Sequence, residues 1–200
     1  MKGILLLNGQ PYSGEIDDSS ALVYCCDGAY RWAHGKVRID KNIGDFDSLD
    51  IIPDPPPEEV YPSEKDFTDG EIALFKLLKA GVDEIEIYGG GGGREDHFIG
   101  NLQLLYKAHK EGVKCSMITD GSVIFPASGK TFLGHYAGKT LSVLPFGGAL
   151  HIMDFKGLKY PYPPVIGYGE CRGISNIAES DEAFLELDGV ALIIVNKGEV

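Results

Sequence analysis

The chain has 200 residues, 44% hydrophobic and 24% charged, with 27 glycines and 11 prolines, enough for one large domain or two small ones. Its 30 acidic residues against 18 Lys and Arg give a net charge of −12, which repels a phosphate backbone or an anionic membrane and excludes a general nucleic-acid or membrane-surface binder. No apolar run approaches the roughly 20 residues of a spanning helix. The start, Met1-Lys2-Gly3-Ile4-Leu5-Leu6-Leu7-Asn8, has no small-residue cleavage site and reads as a first strand rather than a signal peptide.

Ile4–Leu7 and Ala21–Cys26 read as strands, each stopped by Gly, Asn or Asp. Arg31–Gly35 is a short segment ended by glycine, and Val37–Ile43 leads into a Gly-Asp turn. Pro53, Pro55, Pro56 and Pro57 make Ile51–Val60 a loop, because proline removes a donor and blocks a helix. Thr68-Asp69-Gly70-Glu71 then has capping-box spacing, and Ile72, Phe75 and Leu78 recur at helical intervals up to Gly81. Glu84–Tyr88 alternates like a strand and runs into the glycines Gly89–Gly93. A second helix carries Phe98, Leu102, Leu105 and Tyr106 on one side and ends near Gly112, before a strand at Lys114–Thr119. This β-α-β-α rhythm predicts an α/β unit over residues 1–121, a mainly parallel sheet with flanking helices.

The pattern changes after Asp120-Gly121. Ser122–Pro126, Lys130–Tyr136, Thr140–Phe146, Leu150–Phe155, Ala183–Leu187 and Val190–Asn196 are short, β-rich and separated by glycine turns. They predict a C-terminal all-β sandwich or barrel over residues 122–200. Cys25, Cys26, Cys115 and Cys171 show no C-x-x-C spacing, and no His lies at zinc-finger distance. They read as buried, reduced thiols of a cytoplasmic protein, with Cys25 and Cys26 on opposite faces of a strand.

The carboxylates carry the chemical information. Asp27-Gly28 ends one strand, and Gly44-Asp45-Phe46-Asp47-Ser48 ends another. Lys65-Asp66-Phe67-Thr68-Asp69 sits at a helix start, and Gly92-Gly93-Arg94-Glu95-Asp96-His97 joins a strand to a helix. In an open α/β sheet the carboxyl ends of the strands face one crevice, so these clusters are expected to converge there. Each has a plainer reading. Asp45 and Asp47 suit an Asx turn, Asp66 and Asp69 suit a helix dipole, the glycines suit a loose connection, and His97 an ordinary first-turn residue. Taken together they point to Mg²⁺, since converging carboxylates repel unless cations neutralise them. A glycine turn running into a helix, with Arg94 and Lys65 beside it, suits phosphate. The residue chemistry therefore indicates phosphoryl-group transfer from a nucleotide.

In order along the chain, Asp27-Gly28, Gly44-Asp45-Phe46-Asp47-Ser48, Glu64-Lys65-Asp66-x-Thr68-Asp69 and Gly92-Gly93-Arg94-x-Asp96-His97 with Asn101-Leu102 resemble the thiamine pyrophosphokinase family. So do Leu141-Ser142-Val143-Leu144-Pro145, Gly157-Leu158-Lys159-Tyr160 and Gly173-Ile174-Ser175-Asn176, and the resemblance covers nearly the whole chain. It implies transfer of the diphosphoryl group of ATP to thiamine, giving thiamine diphosphate and AMP. It also implies a homodimer with the vitamin at the subunit interface. Asp45, Asp47, Asp66, Asp69 and Asp96 are then expected to hold Mg²⁺ and orient ATP, with Arg94 and Lys65 on the phosphates. Asp27, Gly92, Gly93 and His97 complete the nucleotide site, and Tyr160, Ser175 and Asn176 the thiamine pocket. A carboxylate such as Asp96 or Asp69 is expected to accept the alcohol proton, and the sequence does not choose between them. The chain departs from the family pattern at Ala29, where Gly is common, at Tyr160, where Trp is common, and at Ile174, where Thr is common. Two alternatives stay open: a related pyrophosphokinase acting on another alcohol such as a hydroxymethylpterin, and a non-catalytic nucleotide or thiamine sensor.

Overall fold

Short apolar runs become the strands of a parallel sheet in the first of two units, Met1–Asp120; the second is Gly121–Val200. The computed structural model describes residues 1–46, 49–57 and 66–198. Strands β1 (Lys2–Leu6), β2 (Ala21–Cys26), β3 (Lys41–Ile43), β4 (Glu84–Tyr88) and β5 (Lys114–Ile118) lie in the order β5-β4-β1-β2-β3, each pair parallel. A central strand covered on both faces must be apolar throughout, and Ile4, Leu5 and Leu6 have no solvent exposure. The chain leaves β1 towards β2 and β3, then returns to β4 and β5 on the other side. The switch point of the topology is therefore the gap between β1 and β4, where a ligand crevice is expected.

After β2 come a 3₁₀ turn, Asp27–Ala29, and helix α1 (Tyr30–Ala33). Tyr30 and Ala33 pack with Ile4, Leu6, Val23, Cys25 and Tyr88 on one face of the sheet. Each large aliphatic side chain buried in this way contributes about 1.5–3 kcal/mol. Helices α2 (Asp69–Lys79) and α3 (Glu95–Lys110) follow. The inward face of α2 differs from the one the spacing suggests. Gly70, Ala73, Leu74 and Leu77 are buried, whereas Phe75 is exposed and Ile72 and Leu78 are half-buried. The reason is Gly70. A side chain there would come within 3.1 Å of Leu104 Cδ1 and 3.3 Å of Leu7 Cδ2, so its bare backbone selects that row for close contact. Helix α3 buries Leu104, Leu105 and Ala108, with Phe98, Leu102 and Tyr106 half-buried.

The second unit is antiparallel. Its strands are β6 (Ser122–Phe132), β7 (Thr140–Pro145), β8 (Leu150–Lys156), β9 (Val165–Ile166), β10 (Asn176–Ile177) and β11 (Phe184–Asn196). Two expected pairs of short strands merge. Gly129 lies inside β6 and Gly189 inside β11, where the register shifts between Leu187 and Ala191, so both glycines mark an irregularity rather than a turn. Lys130–Tyr136 accordingly divides into the end of β6 and a 3₁₀ turn at Gly134–Tyr136. Below the shift β11 pairs with β8, and above it with β7. Leu185 and Leu187 share one core with Ala191, Ile193 and Val195, together with Leu141, Val143, Leu150 and Ile166. Cys25, Cys26 and Cys115 are buried, but Cys171 is exposed on a loop, contrary to the expectation for all four. Among the described residues no helix is long and apolar enough to cross a membrane.

Candidate active site

The expected crevice exists within the first unit as a cleft of about 970 Å³. Leu7, Asn8 and Gly9 enter it from the end of β1, Cys26 and Asp27 from the end of β2, and Asp45 from just beyond β3. The segment from Asp66 to Glu71 brings the start of α2, and Gly92, Arg94, Asp96 and His97 bring the turn after β4 and the first turn of α3. Of the residues expected at the nucleotide and metal site, Asp27, Asp45, Asp66, Asp69, Gly92, Arg94, Asp96 and His97 line this one cleft. Gly93 lies beside it with a positive φ of 72°. Asp47 and Lys65 fall outside the described residues.

The glycine run is pinned rather than loose. Gly9 N–H donates to Gly89 O at 2.7 Å, and Gln10 N–H to Gly91 O at 2.6 Å. Asn101 Nδ2 donates to Gly90 O at 2.9 Å, tying the turn to α3. Gly89 has φ 69°, and a side chain there would sit 2.2 Å from Leu7 O, so only glycine lets β1 and β4 close this tightly. Asp27 and Phe46 take positive φ values of 40° and 56° without being glycine, the kind of strain that collects at functional sites.

Arg94 is the N-cap of α3 but provides no side-chain cap; within the first turn the His97 N–H donates to Asp96 Oδ1 at 3.0 Å, and the N–H groups before it face the open end of the helix. Its guanidinium instead grips Asp96 with both edges. Nε donates to Oδ1 at 3.1 Å and Nη2 to Oδ2 at 2.6 Å. The hydrogen bond from Arg94 holds the Asp96 carboxyl below the usual carboxylate range, and the same bond raises Arg94. The side chains are 72% and 64% exposed, so solvent screens the pair and a ligand can open it.

The start of α2 is held differently. Thr68 Oγ1 accepts the Glu71 N–H, and Glu71 Oε2 accepts the Thr68 N–H, both at 3.2 Å, completing the expected capping box. Glu71 Oε1 also accepts a hydrogen bond from Lys107 Nζ at 2.5 Å, and that bond is the main reason its carboxyl lies below the ordinary value. Lys107 was not singled out by its sequence context. It lies eleven residues after Asp96, which on a helix is close to three full turns and so the same face. Asn8 and Gln103 were missed for a similar reason, since isolated polar residues read as solvated surface.

Among the described residues no three or more His, Cys, Asp or Glu side chains converge as a ready-made metal site. The carboxylates share a cleft without forming a cluster.

Tyr160, Ser175 and Asn176 lie in the second unit. Tyr160 is half exposed, and Ser175 is exposed with φ 61° and donates its N–H to Ser142 Oγ at 3.1 Å. Asn176 is buried and its carboxamide is already engaged. Oδ1 accepts the Tyr160 N–H at 3.0 Å, and Nδ2 donates to Tyr160 O at 2.8 Å. It holds the Tyr160 backbone as a neighbouring strand would.

An open parallel sheet with a charged cleft at its topological switch point defines an α/β protein built around a small-ligand site. A model of the thiamin pyrophosphokinase catalytic domain matches residues 14–117, inside the first unit. The thiamine pyrophosphokinase of Bacillus subtilis (strain 168) is 38% identical over 161 residues, covering 76% of this chain and 75% of the relative. A solved thiamine pyrophosphokinase from Bacillus subtilis aligns with a TM-score of 0.83 at 28% identity, covering 100% of this chain and 99% of that one. The thiamin pyrophosphokinase from Candida albicans has the same fold, with a TM-score of 0.76 at 17% identity over 98% of this chain and 89% of that one. The chain belongs to the thiamin pyrophosphokinase family of enzymes.

Proposed function

We propose that the enzyme transfers the diphosphoryl group of ATP to the hydroxyethyl oxygen of thiamine, giving thiamine diphosphate and AMP with Mg²⁺ required. The observation that carries this reading is the gathering of Asp27, Asp45, Asp66, Asp69, Arg94 and Asp96 around one cleft in a chain of this family. Mg²⁺ prefers oxygen ligands, keeps several waters, and usually takes only one or two carboxylates beside substrate phosphates. Separate carboxylates spread along a cleft therefore fit a metal that arrives with the triphosphate. Asp45, Asp66, Asp69 and Asp96 are the residues to hold it, with Asp47 two positions after Asp45 in sequence. Bound there, Mg²⁺ supplies charge neutralisation on the transferring oxygens.

The chain's own groups do the rest. First-turn N–H groups of α3 and the guanidinium of Arg94 bind the phosphates, with Lys65, Gly92, Gly93 and His97 beside them. In-line attack needs placement and charge relief more than a strong base. The alcohol proton passes to Asp69 or Asp96. The first unit is thus read as the nucleotide domain and the second, with exposed Tyr160 and Ser175, as the thiamine domain of a cytoplasmic homodimer whose interface holds the vitamin.

The test is incubation of the protein with ATP, Mg²⁺ and thiamine, followed by chromatography for AMP and thiamine diphosphate. Both products are expected. AMP formed with a hydroxymethylpterin but not with thiamine replaces the acceptor, and ligand binding with no AMP from either removes the catalytic reading.

A further inference from the structure

Glycine is the least favoured ordinary residue inside a helix, so a mid-helix glycine requires a reason. Gly100 lies well inside α3, Glu95–Lys110. The two usual reasons are lacking. Its φ is not among the positive values of the chain's glycines, and a Cβ added there meets no heavy atom of the described residues within 4 Å. Gly70 on α2 is the contrast, because a Cβ there would press on Leu104 at 3.1 Å. Gly100 is exposed and lines the cleft, one turn beyond Asp96 and one turn before Leu104, with Gln103 beside it. An added side chain would therefore project into the cleft itself.

Position along α3 indicates what the bare backbone serves. The phosphate-binding groups, Arg94 and the first-turn N–H groups, are at the helix start, and Gly100 lies about 6 Å further along the axis from Asp96 at 1.5 Å per residue. A sugar and base attached to phosphates held at that start reach this distance. The flanking group suits them, since Gln103, exposed at the cleft, offers a donor and an acceptor.

We infer that Gly100 is a specificity-determining residue, the place where the nucleoside part of a nucleoside triphosphate lies against the uncovered backbone of α3. The inference rests on the assignment of ATP as donor. Two variants test it. Gly100→Ala, which adds a helix former in open space, raises the melting temperature of the ligand-free protein by about 2–4 °C. Gly100→Leu fills the space. Calorimetric titration with Mg²⁺ present is expected to show ATP binding weakened about tenfold or more, while inorganic tripolyphosphate changes by less than about twofold. A lowered melting temperature for Gly100→Ala overturns the inference, because glycine is then needed for packing. Unchanged ATP affinity in folded Gly100→Leu overturns it as well, as does equal weakening of ATP and tripolyphosphate. Wild-type protein that binds tripolyphosphate but not ATP overturns the donor assignment and this inference together, whereas wild-type binding of ATP with no effect of Gly100→Leu overturns this inference alone.

Discussion

Replacing Glu71 by Gln keeps an amide oxygen to accept the Thr68 N–H and removes the charge that holds Lys107. The Glu71 side chain is 24% exposed, so its pair with Lys107 is better shielded than an ordinary surface ion pair. An exposed pair contributes about 0.2–1 kcal/mol, and an acidic group in the first turn of a helix adds about 0.3–1 kcal/mol through the helix dipole. The sum, about 0.5–2 kcal/mol at pH 7, corresponds to a fall in melting temperature of about 2–4 °C per kcal/mol for a chain of this length. Glu71 has a folded-state pKa below its ordinary value, with the Lys107 hydrogen bond as the leading cause. Its contribution is therefore present above the unfolded pKa of about 4.3 and is lost as the pH falls through the lower folded value. Urea midpoints of wild type and Glu71→Gln, followed from pH 7 downwards, are expected to differ most at neutral pH and to converge below about pH 4. In a Lys107→Met background the Glu71→Gln effect shrinks. A pH-independent gap, or additive effects of the two changes, refutes the ion-pair account.

Asp69→Asn and Asp96→Asn are each expected to leave circular dichroism unchanged and to lower the rate of AMP formation at saturating Mg²⁺ by about a hundredfold or more; near wild-type rates in both remove these carboxylates from the chemistry. Asn176→Ala leaves the Tyr160 N–H and C=O without their partners, which costs about 2–5 kcal/mol and is read as a lowered urea midpoint. Burial pushes the Cys25 thiol up to about 12, and Cys115 is raised for the same reason, while Cys171 is exposed. A thiol reagent at pH 8 is therefore expected to modify one cysteine rapidly in the native protein and all four after unfolding.

The cleft was legible in the sequence because each acidic cluster follows a strand or opens a helix. Parallel order then sends Asp27, Asp45 and the turn before Asp96 to the same edge. The capping box at Thr68 and Glu71 was legible because it is local. The buried face of α2 was not, since the row through Ile72, Phe75 and Leu78 is as apolar as the one through Ala73, Leu74 and Leu77. What decides between them is the approach of Leu104 and Leu7 to Gly70, a contact made across the fold. The bonds of Asn176 to the Tyr160 backbone were not legible for a related reason. That backbone is sixteen residues away, and nothing local distinguishes a buried strand mimic from a ligand contact. Gly189 read as a turn because a glycine between two apolar runs usually is one, and only pairing on both sides of β11 turns it into an irregularity within one strand.

The grip of Arg94 on Asp96 makes the two halves of a salt compete with the protein's own. An anion that takes the Nε–Nη2 edge of Arg94 releases Oδ2 of Asp96 and leaves Oδ1 with the His97 N–H alone. The freed carboxylate then attracts a cation more strongly than before, and by linkage that cation strengthens the hold on the anion by the same factor. Either ion alone breaks the internal pair and leaves one of its two members without a counter-charge. A cleft closed on itself in this way favours a ligand that brings both charges together, and a free phosphate or a free divalent cation meets a site already satisfied.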